Sequence, residues 1–353
     1  MSQGHSVDID ALLSAVREAP SLGAMDSDYA AALGQAIEAG QLRHLPGDHT
    51  NTAFAVPVGD KDTFVQVFAT PLPGAHPAVE IPKRLHRAGF DAMAPMYGHV
   101  CVPGQNDTVW ATFSGFLSRG RSGWDVATDF ASQGRSFADD AEKLGAITAR
   151  FHAALSPSEM KETTGTQVSS KLVGRLSEEA SLTARALELA GLAEEVPLVQ
   201  AVAQSLSEGI QNLATDSTSM GVQLIHGDLH LGNTLQTDGT WYLLDFEGEP
   251  DRSLAQRFEA RSPLYDIAGM LRSFAYAVGR TQAQSQWAET SSQAYVQGYL
   301  LGAQNVSVNP QELEAYVGLK AMYEIRYELK HRPHMVAIPL AYFAKSRTKK
   351  WED

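Results

Sequence analysis

The sequence predicts an α+β protein of two lobes, a small strand-rich one followed by a larger, mainly helical one. Three observations carry this. At 353 residues the chain is longer than one compact core usually organises. Short β-like runs crowd residues 45–117, whereas from residue 120 onward apolar residues recur at helical spacing. Hydrophobic residues make up 44% and charged residues 20%, which is ordinary globular composition. The chain divides accordingly into an N-terminal helical segment (1–42), a strand-rich lobe (43–117) and a helical lobe (118–353).

In the first segment Ile9, Leu12, Leu13 and Val16 have the spacing of an amphipathic helix. The runs "FAVPV" and "TFVQVFA" flank "GDKD", whose Gly-Asp pair signals a hairpin turn. Val79, Ile81 and Leu85 mark a short helix, and "APMYGHV" and "TVWATFSGF" two further strands. In the helical lobe Leu144, Ile147, Phe151 and Leu155 form one stripe; Leu264, Ile267, Leu271, Phe274 and Val278 form another. Asn309, Pro310 and Glu312 read as N-cap, first turn and capping-box residue of a helix ending near His331, ahead of Pro333. The Ser/Thr/Lys/Glu-rich start of 156–185 predicts a mobile connection between helices.

The formal net charge is −13, which argues against nucleic-acid or anionic-membrane partners while leaving room for a phosphate ligand in a local positive pocket. A single cysteine, Cys101, excludes an intramolecular disulfide and a multi-Cys metal site. The N-terminal stretch lacks the basic and apolar regions of a signal peptide. No apolar run approaches the roughly 20 residues that span a bilayer. A cytoplasmic location, with no membrane partner, is the expectation.

The stretch "LIHGDLHLGNTLQTDGTWYLLDFEGEP" (224–250) concentrates the chemistry. "QLIH" and "WYLLDF" read as short apolar strands and "TDGT" as a turn between them. Asp228 is suited to orient a hydroxyl nucleophile and accept its proton. Asn233 and Asp245 offer an amide oxygen and a carboxylate, the hard donors a divalent ion bridging phosphates requires. Together they point to phosphoryl transfer, where positioning and charge neutralisation do most of the work. Asp-rich hairpins also form turns for purely structural reasons, but three such oxygen donors in this frame favour the chemical role.

"HGDLHLGN" and "LLDFEGEP" resemble the catalytic and metal-binding segments of the aminoglycoside-phosphotransferase-like kinases. With "SPLYDIAGMLRSFAYAV", "GDHTNTAFAV", "VEIPKRLHRAGFDAMAPMYGHV", "LGAITARFH" and "YEIRYELKHRPHMVAIPL", the chain is similar to the actinobacterial maltokinases over residues 43–345. The resemblance implies a bilobal protein-kinase-like fold and ATP- and Mg2+-dependent phosphorylation of a sugar acceptor, with maltose leading to maltose 1-phosphate. It implies Asp228 as catalytic base and Asn233 and Asp245 as magnesium ligands. Thr50, Asn51, Thr52, Gln66, Glu80 and Lys83 fall on the nucleotide side. His230, Glu247, Tyr323, Tyr327, Glu328 and Arg332 fall on the sugar side, where an aromatic ring would stack on a pyranose and charged groups bind its hydroxyls. Packing plus a surface ion pair is the plainer account of the Tyr-Glu-Arg group.

Several positions depart from the family pattern. Maltokinases commonly carry Gln where this chain has Asn233. Gln66 stands where such kinases place a strand lysine paired to a helix glutamate, here Glu80, and brings no charge; Lys83 is one candidate to replace it and Lys61 another. Pro82 is expected to shorten or kink the helix carrying Glu80. The segment ahead of Gly47 is shorter than the family's N-terminal cap, so it reads as a cap remnant, and docking of a trehalose synthase-type partner is in question. Two alternatives stand beside maltose: a kinase for glucosamine or another small sugar, since Glu247, Glu328 and Asp228 would welcome an ammonium group, and a catalytically weak, regulatory kinase-like protein.

Overall fold

The computed structural model describes residues 7–18, 27–45, 51–156, 165–213, 221–249, 252–303 and 308–348. The chain forms two compact units. One comprises Met1–Arg121 with Leu235–Phe258, the other Ser122–Thr234 with Glu259–Asp353.

The first unit is built on a five-stranded antiparallel sheet, order β1-β2-β3-β5-β4, from β1 (Arg43–Leu45), β2 (Thr52–Val58), β3 (Lys61–Val67), β4 (Met96–Cys101) and β5 (Val109–Gly115). The predicted hairpin is present: Val58 pairs with Lys61, and Thr52 with Val67. Alternation along β3 buries Thr63, Val65 and Val67 and leaves Phe64 and Gln66 on the opposite face. Helices α1 (Ile9–Glu18) and α2 (Ser27–Glu38) are the described part of the N-terminal segment. They cover the apolar face, where Leu12, Val16, Leu33 and Ile37 join Val56, Val65, Val67 and Phe113 in one cluster. Helix α3 (Pro77–Arg87) is capped by His76, whose Nδ1 accepts from the Ala78 amide. It continues past Pro82 to Arg87, so the expected shortening does not occur. Pro82 sits in the helix interior and is itself buried, so packing offsets its missing donor. The order β6 (Arg121–Ser122), β7 (Thr234–Thr237), β8 (Thr240–Leu243) gives a three-stranded sheet. It is followed by the short α8 (Leu254–Arg257), which opens on a Ser253–Gln256 capping box.

The second unit is helical: α4 (Gly123–Ser132), α5 (Ala138–Leu155), α6 (Gly165–Leu189), α7 (Val196–Leu213), α9 (Leu264–Thr281), α10 (Ser285–Gly302), α11 (Pro310–His331) and α12 (Ala337–Thr348). Its centre is aromatic, with Phe137, Phe274, Trp287 and Tyr295 in edge-to-face or tilted contacts. The Trp287 indole donates to the Arg135 carbonyl at 2.8 Å. Helix α11 has the predicted bounds, with Asn309 accepting from the Gln311 and Glu312 amides. Glu312 does not complete a capping box, because its side chain is buried and bonded to Ser262. The connection predicted over 156–185 is helix α6 from Gly165 onward, its polar residues alternating with buried Leu172, Leu176 and Ala180; residues 157–164 lie outside the described residues. No helix among the described residues is long and apolar enough to cross a membrane.

Candidate active site

The Asp228 loop is held from beneath by a buried carboxylate. The predicted "QLIH" strand is absent; Gln223 makes one isolated bridge, to Arg261, because the backbone beyond it bonds to a side chain and not to a neighbouring strand. Asp266, on the first turn of α9 and fully buried, accepts from the His226 amide at 2.8 Å and the Gly227 amide at 2.9 Å. His152 Nε2 lies 2.9 Å from the same carboxylate, and its Nδ1 lies 3.0 Å from the Tyr299 hydroxyl. Burial pushes the Asp266 carboxyl up, but the His152 hydrogen bond and charge, with the His226 amide, outweigh it and hold it below the usual carboxylate range. Gly227 has φ 83°, a backbone conformation only glycine adopts freely. A second anchor is Ser273, whose hydroxyl accepts from the Leu231 amide at 3.2 Å.

On this loop the Asp228 side chain is part-exposed, and His230 Nε2 lies 3.9 Å from its Oδ2. Asn233 Nδ2 donates to the Asp228 carbonyl at 2.9 Å. That bond uses the amide nitrogen and leaves the oxygen as the group available to a ligand. His226 is buried and bonds to structure, with its Nδ1 3.4 Å from the Asp228 amide.

Within the first unit Asp245 follows β8, exposed and at φ 61°, a left-handed conformation Asp tolerates. Two residues on, the Glu247 carboxylate accepts from Asn51 Nδ2 at 2.9 Å and Gln66 Nε2 at 2.7 Å. Burial, then the Asp245 charge, push the Glu247 carboxyl well above the usual carboxylate range; Arg257 and the two amides oppose this. Gln66 and Glu80, at the positions of the family's strand lysine and its helix partner, bond to other residues. A neutral amide cannot neutralise Glu80, whose charge is met by Lys83 one turn along α3 at 3.2 Å, and Gln66 is drawn to Glu247. Thr52 opens β2 opposite Val67, and Lys61 is exposed in the hairpin. Thr50 lies outside the described residues. Glu247, grouped with the sugar side in the sequence, thus bonds to two residues of the nucleotide group.

The remaining sugar-side residues lie on α11 and its end. Tyr323 and Tyr327 stack along one face with ring centroids 6.3 Å apart, and the Arg332 guanidinium lies 5.4 Å from the Tyr327 ring centre. Glu328 is buried and takes three donors: Arg332 at 3.0 and 2.6 Å and the Tyr276 hydroxyl at 3.1 Å. The Glu328–Arg332 pair is therefore anchored in the protein on its acidic side, not a surface pair. Next to it Glu324 is bonded to Arg272 at 2.9 and 2.6 Å. Among the described residues no three His, Cys, Asp or Glu side chains converge as a metal site. A magnesium ion needs fewer, since it keeps water and substrate phosphate in its shell. The exposed Asp245 carboxylate of the first unit and the Asn233 amide oxygen of the second are each, taken singly, a hard oxygen donor.

The pattern of the phosphotransferase enzyme family matches residues 41–302. The chain belongs to that family. Two curated relatives of this phosphotransferase are named glucosamine kinase. The protein from Streptacidiphilus jiangxiensis is 26% identical over 76% of this chain, and the match spans 64% of that protein's length. The one from Mycolicibacterium smegmatis is 27% identical over 84% of this chain and 77% of its own length. Among solved structures, a glucosamine kinase in complex with glucosamine, ADP and inorganic phosphate superposes with a TM-score of 0.70 at 22% identity, covering 88% of this chain and 81% of that one. An APH(4)-Ia aminoglycoside phosphotransferase variant with ADP and hygromycin B gives 0.53 at 11% identity over 88% and 95%. These likenesses show the α+β kinase-like fold of the phosphotransferase.

Several residues that hold the candidate site residues in place were not singled out from the sequence. Asp266 had a signal, as the one acid in the apolar run "LYDIAGM"; a carboxylate on a buried stripe implies donors waiting for it. His152, inside the Phe151–Leu155 stripe, had the same one. Arg257 and Tyr276 had none.

Proposed function

We propose that this phosphotransferase moves the γ-phosphoryl group of ATP to a hydroxyl of an amino sugar, glucosamine being the leading acceptor. The observation that carries the reading is the Asp228 loop, locked through two consecutive backbone amides to buried Asp266. An exchangeable loop has no need of such fixing, whereas a general base must be held within hydrogen-bond reach of its proton. Glucosamine is favoured over maltose because the two curated relatives described above bear that name. The acidic cluster that first motivated an ammonium-bearing acceptor adds nothing, since Glu247 and Glu328 are already engaged. The relatives' names lend no support to a trehalose synthase-type partner.

In this reading Asp228 orients the acceptor hydroxyl and takes its proton. Asn233 and Asp245 are the ligands of magnesium, which when bound neutralises phosphate charge. Asn51, Thr52 and Gln66 belong to the nucleotide side, with Thr50, Glu80 and Lys83 retained as candidates there. Tyr327 presents an exposed ring that a pyranose can stack on, with Tyr323 and Arg332 beside it; His230 is retained as a sugar-side candidate next to Asp228. Glu328 acts by fixing the Arg332 fork. Phosphorus NMR of the protein with magnesium-ATP and, in separate tubes, glucosamine, maltose and glucose tests this. A new ester resonance with glucosamine is expected. An ester with maltose alone returns the acceptor to maltose, and silence in every tube from folded protein rejects the kinase reading in favour of a regulatory one.

A further inference from the structure

The first unit gathers two carboxylates, two neutral amides and one guanidinium in a single loop system. Asn51 and Gln66 both donate to Glu247 Oε1, and Asp245 stands two residues away. Arg257, the last residue of α8, folds back over this loop. Its Nε donates to the Arg252 carbonyl at 3.0 Å and its Nη1 to the Glu247 carbonyl at 3.3 Å. Its stem covers Gly248, at φ 71°, where an added Cβ would lie 3.5 Å from the Arg257 Cβ and Cγ. Two backbone bonds and a glycine seat fix the guanidinium beside the segment that carries Asp245.

Its charge is also felt by a neighbouring group. Burial, then the Arg257 charge, lower the His76 imidazole to about 4 at the N-terminus of α3. Lys83 is paired with Glu80, Lys61 is exposed at the start of β3, and Arg252 pairs with buried Glu249. A polyphosphate brought to Asp245 would meet a like charge and, at Gln66, a donor without charge.

We propose that Arg257 supplies the positive charge for the nucleotide's phosphates that Gln66 lacks, while Gln66 and Asn51 serve to orient Glu247. The proposal rests on the phosphotransferase reading above. It makes the neutral residue on β3 a consequence of a relocated cation: the charge comes from the helix after Asp245, held by backbone carbonyls, and not from the strand.

The test is ADP affinity by calorimetry, together with KM for ATP, on four proteins: wild type, Arg257→Lys, Arg257→Gln, and Arg257→Gln with Gln66→Lys. Loss of a charge-assisted contact predicts a roughly tenfold to hundredfold weaker ADP affinity for Arg257→Gln. Arg257→Lys should lose less. Adding Gln66→Lys should restore most of the affinity, because the charge returns at the other side of Glu247; a role confined to bracing the loop would not be rescued by a residue on β3. Wild-type ADP affinity in Arg257→Gln overturns the proposal, as does a loss that neither lysine recovers. Failure of the wild type itself to bind ADP and to transfer phosphate is a different result, which overturns the phosphotransferase reading of the site.

Discussion

Asp266→Asn removes half of the acceptor that holds the Asp228 loop. The wild-type carboxylate is fully buried, with His152 Nε2 and the His226 amide on Oδ2 and the Gly227 amide on Oδ1. Asparagine has one oxygen. If that oxygen faces His152 and the His226 amide, its NH2 faces the Gly227 N–H, stranding two donors at about 1–3 kcal/mol. The two surviving bonds lose their charge assistance, which is about half the strength of such a bond. The expected loss of stability is about 3 kcal/mol. Displacing Asp228 by about 1 Å would slow transfer roughly a hundredfold. Urea unfolding followed by tryptophan fluorescence reads the first quantity and steady-state kinetics the second. A loss below about 0.5 kcal/mol with unchanged turnover would refute the claim that Asp266 positions the loop, since that is the range of surface substitutions that touch nothing.

Asp228→Asn should abolish phosphoryl transfer while ADP affinity and melting temperature stay near wild type; measurable turnover would remove Asp228 as the base. Gly269→Ala should cost about 1–3 kcal/mol, because an added Cβ would lie 2.4 Å from the Leu229 carbonyl oxygen; an unchanged urea midpoint would show that the loop gives way freely. Burial raises the Glu312 carboxyl to about 7, against a hydrogen bond from Ser262. The folded state therefore holds this proton where the unfolded chain has released it, and stability falls as pH rises from the ordinary glutamate range to about 7, by up to about 3 kcal/mol. Glu312→Gln should remove that loss, stabilising the protein at pH 8 and changing little at pH 4.5; equal effects at both would disprove the buried proton.

The sequence alone determined most of the local structure of this protein. Alternation along "TFVQVFA", the Gly59-Asp60 turn and the Asn309-Pro310 start of α11 are decided by neighbours in the chain, through side-chain period, turn conformation and capping, and they appear where expected. The phosphotransferase family was legible too, because "HGDLHLGN" and "LLDFEGEP" keep the family's residue types within a short span. Where the expectation failed, a long-range partner decided. "QLIH" lacks a strand because Asp266, 39 and 40 residues on, takes the amides of Gly227 and His226. Gln66 looked like a weakened lysine beside Glu80 until the fold brought Glu247 within 2.7 Å of it, 181 residues away. Glu328 looked like one half of a surface pair until Tyr276 on α9 covered it. Hydrogen-bond partners of buried polar groups are chosen by tertiary proximity, which no local spacing encodes. The chain thus carried its family in its own motifs, and only packing settled which carboxylates are engaged and what holds the Asp228 loop in place.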